Sequence, residues 1–467
     1  MTGPDNVRIG VDGFNLAMPG GTGVATYGRT LIDALAGMGR RIDLVYGLDV
    51  AASASAALRE TLFFAALAEG YSGGEPSGAE THWVRLRRLY LRRSPRDLIE
   101  IPATGRVVRQ GIGGRVPGCD RLFTFPHLFY LGRRYLRRHG RLLPVRVPDP
   151  PAIMHWTYPV PVRMIGTRNV YTVHDLVPLR LPFLSLEDKS YHELLLIACA
   201  RAAAHIVTVS DVSRQDILDW LPVSPDAVTT LYQAVPERFD RSVAPATLAH
   251  RLRTLFDLAP QGYFLFYGAT EPKKNVGRLI EAYLSTAIDR PLVIAGPEGW
   301  RADDAFRLSS GGQGAALSAA DRIRRIAYLP TEHLDILVRG ARALVFPSLY
   351  EGFGLPMVEA MQAGVPVIAG RAGALPEIAG DAALLVDPYD VEALAEALDR
   401  VDRDALLRDR LIAAGRARGA TFAMQAYRSR LATVHDRVSD LPVTSERGIF
   451  PWHRAGSTMP ALPGDPT

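Results

Sequence analysis

Two carboxylates with seven residues between them, Glu351 and Glu359, stand in the stretch FPSLYEGFGLPMVEAMQAGVPVIAG and are suited to holding a hydroxylated ligand. Between them Gly352 and Gly354 flank Phe353, so backbone can approach a ligand more closely than a side chain would permit. Pro356 suits a first helical turn, because its φ is already helical and a missing N–H costs nothing there; Gly364 supplies the stop. A helix over 356–363 would aim its N-terminus at the EGFG loop, where exposed amides and the positive end of the helix dipole favour an anion. Acidic acceptors beside an anion seat suit a molecule that carries hydroxyls and phosphate together.

Three other places carry groups of matching chemistry. Lys273 and Lys274, in GATEPKKN, fall just before a helix that Asn275 would cap, where their charge opposes the dipole unless something anionic is bound. His174 and Asp175 arrive at the C-terminal end of the strand in RNVYTVHDLVPLRLP, and open α/β sheets place ligands at that end. The loop PGGTGVATY follows the first strand, VRIGVD, and lets amides around Gly23 face a phosphate, although its spacing is not a dinucleotide fingerprint. Each group also has a plainer use: a dipole-complementing Glu, a solvated Lys pair, a packed His.

These residues need a framework, and the apolar runs supply one. ALVFP (343–347) and VPVIA (365–369) are short buried strands joined through the 356–363 helix, which makes a parallel crossover unit. The same alternation opens the chain and resumes at 152–156, 168–173, 205–210 and 228–233. A polar, turn-rich stretch over 236–247 reads as a hinge, after which YFLFY, PLVIAG, RIAYLP and ALLVD begin a second series. At 467 residues the chain exceeds the roughly 250–300 residues over which one core keeps growing, so two domains are expected.

FPSLYEGFGLPMVEAMQAGVPVIAG resembles the glutamate–seven–glutamate signature of glycosyltransferase family 4, retaining enzymes of the GT-B fold. The resemblance extends over about 5–440 and is strong at 165–215 and 262–390. It implies an α/β protein of two doubly wound Rossmann-like domains facing across a cleft. Residues 1–240 would take the acceptor, with an Arg-rich insertion at about 50–150, and 241–420 the nucleotide sugar. Residues 421–440 would return to the first domain as a helix; residues 441–467, rich in Pro, Gly, Thr and Ser and with little periodicity, read by composition as a disordered tail. By position, Glu351 would contact the donor sugar, Glu359 the ribose, and Lys274, with Lys273 beside it, the diphosphate. Gly23, Gly352, Phe353 and Gly354 would line the donor, His174 would lie by the reacting centre, and the 328–334 junction would hold the base. The HDLVPLRLP and EPKKN variants look most like the mannosyltransferase-type branch, which implies GDP-mannose ahead of UDP-glucose and a glycan or lipid-linked oligosaccharide acceptor. No metal or other cofactor is implied. An epimerase acting on the same donor and a non-catalytic sugar-nucleotide binder are the competing classes.

Composition narrows the setting. Hydrophobic residues make up 48% and charged residues 22%, ordinary for a globular protein. The two cysteines, Cys119 and Cys199, exclude a disulfide framework and suit a reducing compartment. With no 18-residue uncharged apolar run and no charged-then-apolar leader, a cytoplasmic location is expected. Between His82 and Arg141 stand fifteen Arg and three acids, a net +12, whereas the whole chain is +5. WVRLRRLYLRR sets Trp83, Leu86, Leu89 and Tyr90 against Arg85, Arg88 and Arg92; LGRRYLRRHGR repeats the theme with Arg133, Arg134, Arg137, Arg138 and Arg141. Such faces fit an anionic membrane surface. No nucleic-acid-reading motif accompanies them.

Overall fold

The computed structural model describes residues 7–19, 23–70, 95–105, 107, 112, 114–186, 188–236, 239, 243–300, 306, 322–327 and 329–443. The Trp83 to Arg92 stripe, residues 20–22 of the first glycine loop, Tyr328 and all of the expected tail beyond 443 lie outside these residues.

In the first half the strands are β1 (Arg8–Asp12), β2 (Arg41–Tyr46), β3 (Arg96–Asp97), β4 (Ile99–Ile101), β5 (Arg121–Thr124), β6 (Leu143–Arg146), β7 (Ile153–Trp156), β8 (Val162–Met164), β9 (Arg168–Val173), β10 (His205–Thr208) and β11 (Val228–Thr230). The second half adds β12 (Phe264–Tyr267), β13 (Leu292–Ala295), β14 (Ile323–Ile326), β15 (Ala343–Phe346), β16 (Val367–Gly370) and β17 (Leu384–Val386). They form an eight-stranded sheet in the order β11-β10-β9-β7-β1-β2-β5-β4, a six-stranded sheet β14-β13-β12-β15-β16-β17 and a small sheet β3-β6-β8. Every pairing is parallel except β4 with β5. The central strands FLFY and ALVF are buried throughout, as parallel strands covered on both faces require.

Helices that bear on the site are α1 (Gly23–Gly37), α2 (Leu128–His139), α3 (Lys189–Ala202), α4 (Asp211–Trp220), α5 (Val276–Ser285), α6 (Leu355–Ala363), α7 (Leu375–Ala379) and α8 (Met424–Ser439). Strand order reverses between β1 and β7 in the first sheet and between β12 and β15 in the second. At such a switch point the flanking connections leave toward opposite faces and open a crevice beyond the strand ends. α8 packs against α1 and β7 of the first half, and Arg168 Nε donates to Leu441 O just beyond it.

Three expectations need correction. The Arg-rich stretch is not a simple insertion, because β5 within it pairs with β2 as an integral strand of the large sheet. Its Arg121 is held by Asp43 rather than presented to a partner. The expected hinge is shorter, since a helix begins at Pro245, where proline fits the first turn. Asn275 precedes α5 but does not cap it. Its backbone is left-handed (φ 60°), which Asn tolerates, and its amide donates to Pro347 O (3.1 Å) and Pro388 O (2.5 Å).

Packing of α8 buries a histidine pair. The His155 and His435 rings are 6.2 Å apart, and neither nitrogen of His435 has a hydrogen-bond partner among the described residues. Burial, with Arg40 nearby, pushes His435 down to about 4; burial, with Arg437 nearby, does the same for His205. The unfolded chain then binds more protons than the folded one between about pH 6.5 and 4. Stability is therefore expected to be full above pH 6.5 and to fall as pH drops through that window. The slope is about 1.4 kcal/mol per pH unit for each histidine. Urea midpoints at pH 7.5 and 5.0 check this, and His435→Leu should shrink the difference.

Candidate active site

The second sheet's switch point brings together residues more than seventy positions apart. After β12 the chain turns through the short 3-10 helix Pro272–Lys274, and after β15 it enters the EGFG loop. Lys274 Nζ donates to Glu351 Oε1 at 2.6 Å and lies 4.8 Å from the Phe346 ring centroid. Both side chains are largely buried, 15% and 10% exposed, so water screens the pair weakly. Burial alone would raise the Glu351 carboxyl, but Lys274, Lys273 and the Ser348 hydroxyl outweigh it and hold its pKa below the usual value. The main chain of Glu351 is fixed as well. Ala374 N donates to its carbonyl at 2.9 Å, and a Cβ on Gly373 (φ +56°) would meet the Glu351 backbone at 2.7 Å.

Glu359 lies in α6 and is equally buried. Its Oε2 accepts from the Tyr267 hydroxyl at 2.6 Å, which ties the last residue of β12 to the helix. Gly354, at φ +92°, turns the chain into α6, and no side chain caps this helix. An ideal Cβ on Gly23, the first residue of α1, would lie 3.9 Å from Cδ1 of Leu355, the first residue of α6. Two helix N-termini, one from each half, therefore meet at the cleft, and their dipoles add to a positive potential there.

The other wall is built on the first sheet's switch point. Asp12, at the end of β1, accepts from Thr157 N and from Thr157 Oγ1 (3.2 Å), and Thr157 O accepts from His174 Nε2 at 2.8 Å. A carbonyl can only accept, so Nε2 carries the proton and neutral His174 presents Nδ1 as an acceptor. Burial lowers the His174 pKa further than its Thr157 bond and Asp175 raise it, which keeps the ring neutral at pH 7. Burial also lifts Asp12 to about 6 against the pull of its hydrogen bonds from Thr157 and Phe14. His174 meets Tyr27 edge-on, with centroids 4.9 Å apart. A cavity of about 370 Å³ opens beside it, lined by Tyr158, His174, Asp175, Glu271, Lys273 and Trp300 among others.

The residues singled out from sequence thus converge, with one exception. Lys274 touches Glu351, Lys273 shares a cavity with His174, and Gly352 backs onto His174 O so closely that a Cβ there would overlap it. Phe353 turns its side chain into the protein. Its ring is 4% exposed and packs edge-on against Phe422, with centroids 5.3 Å apart, so any donor contact there falls to its backbone. Tyr267, Asp12 and Thr157 went unnoticed in the sequence; an acid closing the apolar strand VRIGVD is the one local sign of Asp12. Among the described residues no group of three or more His, Cys, Asp or Glu side chains could hold a metal.

Two parallel-sheet Rossmann-like domains whose switch points face one another are the GT-B architecture. Solved GT-B structures agree: sucrose-phosphate synthase from Thermosynechococcus elongatus matches with a TM-score of 0.61 and 19% identity, over 92% of this chain and 99% of that one. Anabaena Alr3699/HepE, in complex with UDP and glucose, matches with a TM-score of 0.62 and 14% identity, over 92% of this chain and 100% of that one. At these identities the likeness shows the fold. The family model for glycosyl transferases group 1 matches residues 258–418. O-antigen chain mannosyltransferase B of Escherichia coli is 35% identical over 265 residues, 55% of this chain and 67% of that protein. Serotype-specific mannosyltransferase WbdA, also of Escherichia coli, is 27% identical over 57% of this chain, and the match spans 33% of its own length. The chain belongs to the group 1 glycosyltransferases and is a hexosyltransferase.

Proposed function

We propose that the protein is a retaining mannosyltransferase that takes mannose from GDP-mannose and adds it to a glycan or lipid-linked oligosaccharide in surface-polysaccharide synthesis. The relatives' activity supports the sugar and the setting. The observation that carries the chemistry is the buried Lys274–Glu351 pair beside two converging helix N-termini. In this reading the bond between the anomeric carbon and the diphosphate oxygen breaks, and Lys274, Lys273 and the loop amides stabilise the charge that develops on the leaving group. The acceptor hydroxyl oxygen bonds to the same face of the anomeric carbon, and its proton passes to the departing phosphate oxygen. Glu351 orients the sugar through its hydroxyls, Glu359 accepts from the ribose, and neutral His174 offers an acceptor near the reacting centre. Neither glutamate acts as a nucleophile. No metal is required in this scheme.

A panel of GDP-mannose, UDP-glucose and other nucleotide sugars, offered with and without oligosaccharide acceptor, tests the reading. Transfer from GDP-mannose with an α-anomeric product by proton NMR is expected. An isomerised sugar formed from donor alone would indicate an epimerase instead. Tyr267→Phe removes the hydroxyl that orients Glu359 and is expected to weaken nucleotide binding about 5- to 10-fold, the effect of one hydrogen bond of about 1 kcal/mol. Isothermal titration with GDP measures it.

An anionic membrane surface is the proposed setting for a lipid-linked acceptor. α2 carries Arg133, Arg134, Arg137 and Arg138 and no acid. Arg137 pairs with Asp188 at 2.7 Å, beside a segment where Phe183 and Leu186 are 65% and 74% exposed. Among the described residues no helix is long and apolar enough to cross a membrane. Flotation with phosphatidylglycerol vesicles at low salt is expected to carry the protein upward and to lose it as salt rises; failure to float at low salt would remove this part.

A further inference from the structure

Helix α4 belongs to the first domain, yet the second domain holds it at two points that flank Glu351. At its N-terminus the amides of Asp211 and Val212 donate to the two carboxylate oxygens of Glu377, at 2.8 and 3.0 Å. Glu377 lies in α7, three residues after Ala374, whose amide grips the Glu351 carbonyl. Further along α4, buried Asp216 accepts from the Tyr350 hydroxyl and from Arg180. Tyr350 is the residue next to Glu351. Between these two contacts Ser213 Oγ donates to His174 O at 2.9 Å, the same carbonyl that Gly352 backs onto. Ser213 and Asp216 are three positions apart and share a helix face. One short helix thus touches the segment after β9 that carries His174, the loop that carries Glu351, and α7, whose preceding residue Ala374 is bonded to that loop.

We infer that α4 is the clasp that registers the Glu351 loop against the His174 wall, with Asp216 and Glu377 as positioning residues for sugar transfer. The inference rests on the transferase reading above. Asp216 is suited to this because a carboxylate with two charge-assisted or hydroxyl donors fixes direction as well as distance, and its burial makes the loss of either donor costly. Glu377 meets α4 where the amides of a first turn lack intrahelical partners, so the contact is specific to the docked arrangement of the domains. When the clasp is made, Gly352 and His174 are in contact and water is excluded from between them. When it is broken, the loop keeps its Lys274 partner but loses its alignment to the acceptor side.

Tyr350→Phe, Asp216→Asn and Glu377→Gln test this. Tyr350→Phe and Asp216→Asn are each expected to lower kcat for transfer about 10-fold with donor KM changed less than 2-fold, and to raise the ratio of donor hydrolysis to transfer. The double variant should lose little more than Asp216→Asn alone, because Tyr350→Phe acts only on a contact that the Asp216 change already disturbs. Glu377→Gln should act in the same direction. Hydrogen exchange read over 348–354 and 211–216 without any donor should speed up together in each variant. A merely structural role would lower Tm while leaving kcat, the hydrolysis ratio and exchange at 348–354 as in the parent, and that result overturns the proposal. Should the parent transfer no sugar from any donor, the transferase reading fails, whereas the coupled exchange still decides whether α4 fixes the loop.

Discussion

Lys274→Ala is expected to lower kcat about 10²- to 10³-fold, the usual loss when one fixed group opposing leaving-group charge is removed from a water-poor site. The effect should fall on kcat more than on donor KM, because the charge that Lys274 opposes grows as the diphosphate departs. A second signature follows from the pair it forms. In the parent protein Glu351 is ionised throughout the neutral range, since Lys274 and Lys273 outweigh burial. Without Lys274 burial has less to oppose it, and the folded-state pKa of Glu351 rises. Residual activity should then decline as pH falls through that raised pKa, giving the variant an acid limb that the parent shows only at lower pH. Rates from pH 5 to 9 check both points. Lys274→Arg should recover part of the loss, because it restores the charge without the compact ammonium geometry that reaches Glu351 at 2.6 Å.

Glu351→Ala should abolish measurable transfer, a loss of about 10³-fold or more, while nucleotide affinity changes only a few-fold. The carboxylate is assigned to the sugar and not to the nucleotide, so titration with GDP separates the two. Unchanged turnover would remove Glu351 from the site. Stability offers an independent reading of the pair. Deleting one partner of a buried ion pair costs about 3–5 kcal/mol, because the remaining charge is left in a poor solvent. Lys274→Ala/Glu351→Ala together should therefore be more stable than the sum of the single losses predicts. A thermal-unfolding cycle measures the coupling, and strict additivity would mean that the 2.6 Å contact contributes nothing in solution.

The parts legible in the sequence were those whose cause is local. Buried parallel strands such as FLFY and ALVF are apolar at every position because both faces are covered, and that leaves a continuous run to read. The turn into α6 needed Gly354 at φ +92° and the stop needed Gly364 at +76°, and both conformations favour glycine. Lys274 and Glu351 were legible because each sits between a strand end and a helix start, where an α/β sheet puts its ligands, and Glu359 because of its spacing from Glu351. Asn275 was misread as a cap because its residue type suits that role, whereas its actual partners, Pro347 O and Pro388 O, lie 72 and 113 positions away. The inward packing of Phe353 was not legible for the same reason: nothing near it in the chain announces Phe422.

What the sequence determined by itself was the framework and the placing of its charged groups, because helix periods, strand runs and glycine turns are set by neighbours within a few residues. Only the tertiary structure decided which partner each group takes: Tyr267 for Glu359, Thr157 for His174 and Asp12, Asp216 for Tyr350. The first two sets each arise within one sheet, where strands distant in the chain end side by side at a switch point, and Asp216–Tyr350 arises where the two halves meet. A contact between residues more than ninety positions apart follows from that geometry and imposes no period on the chain.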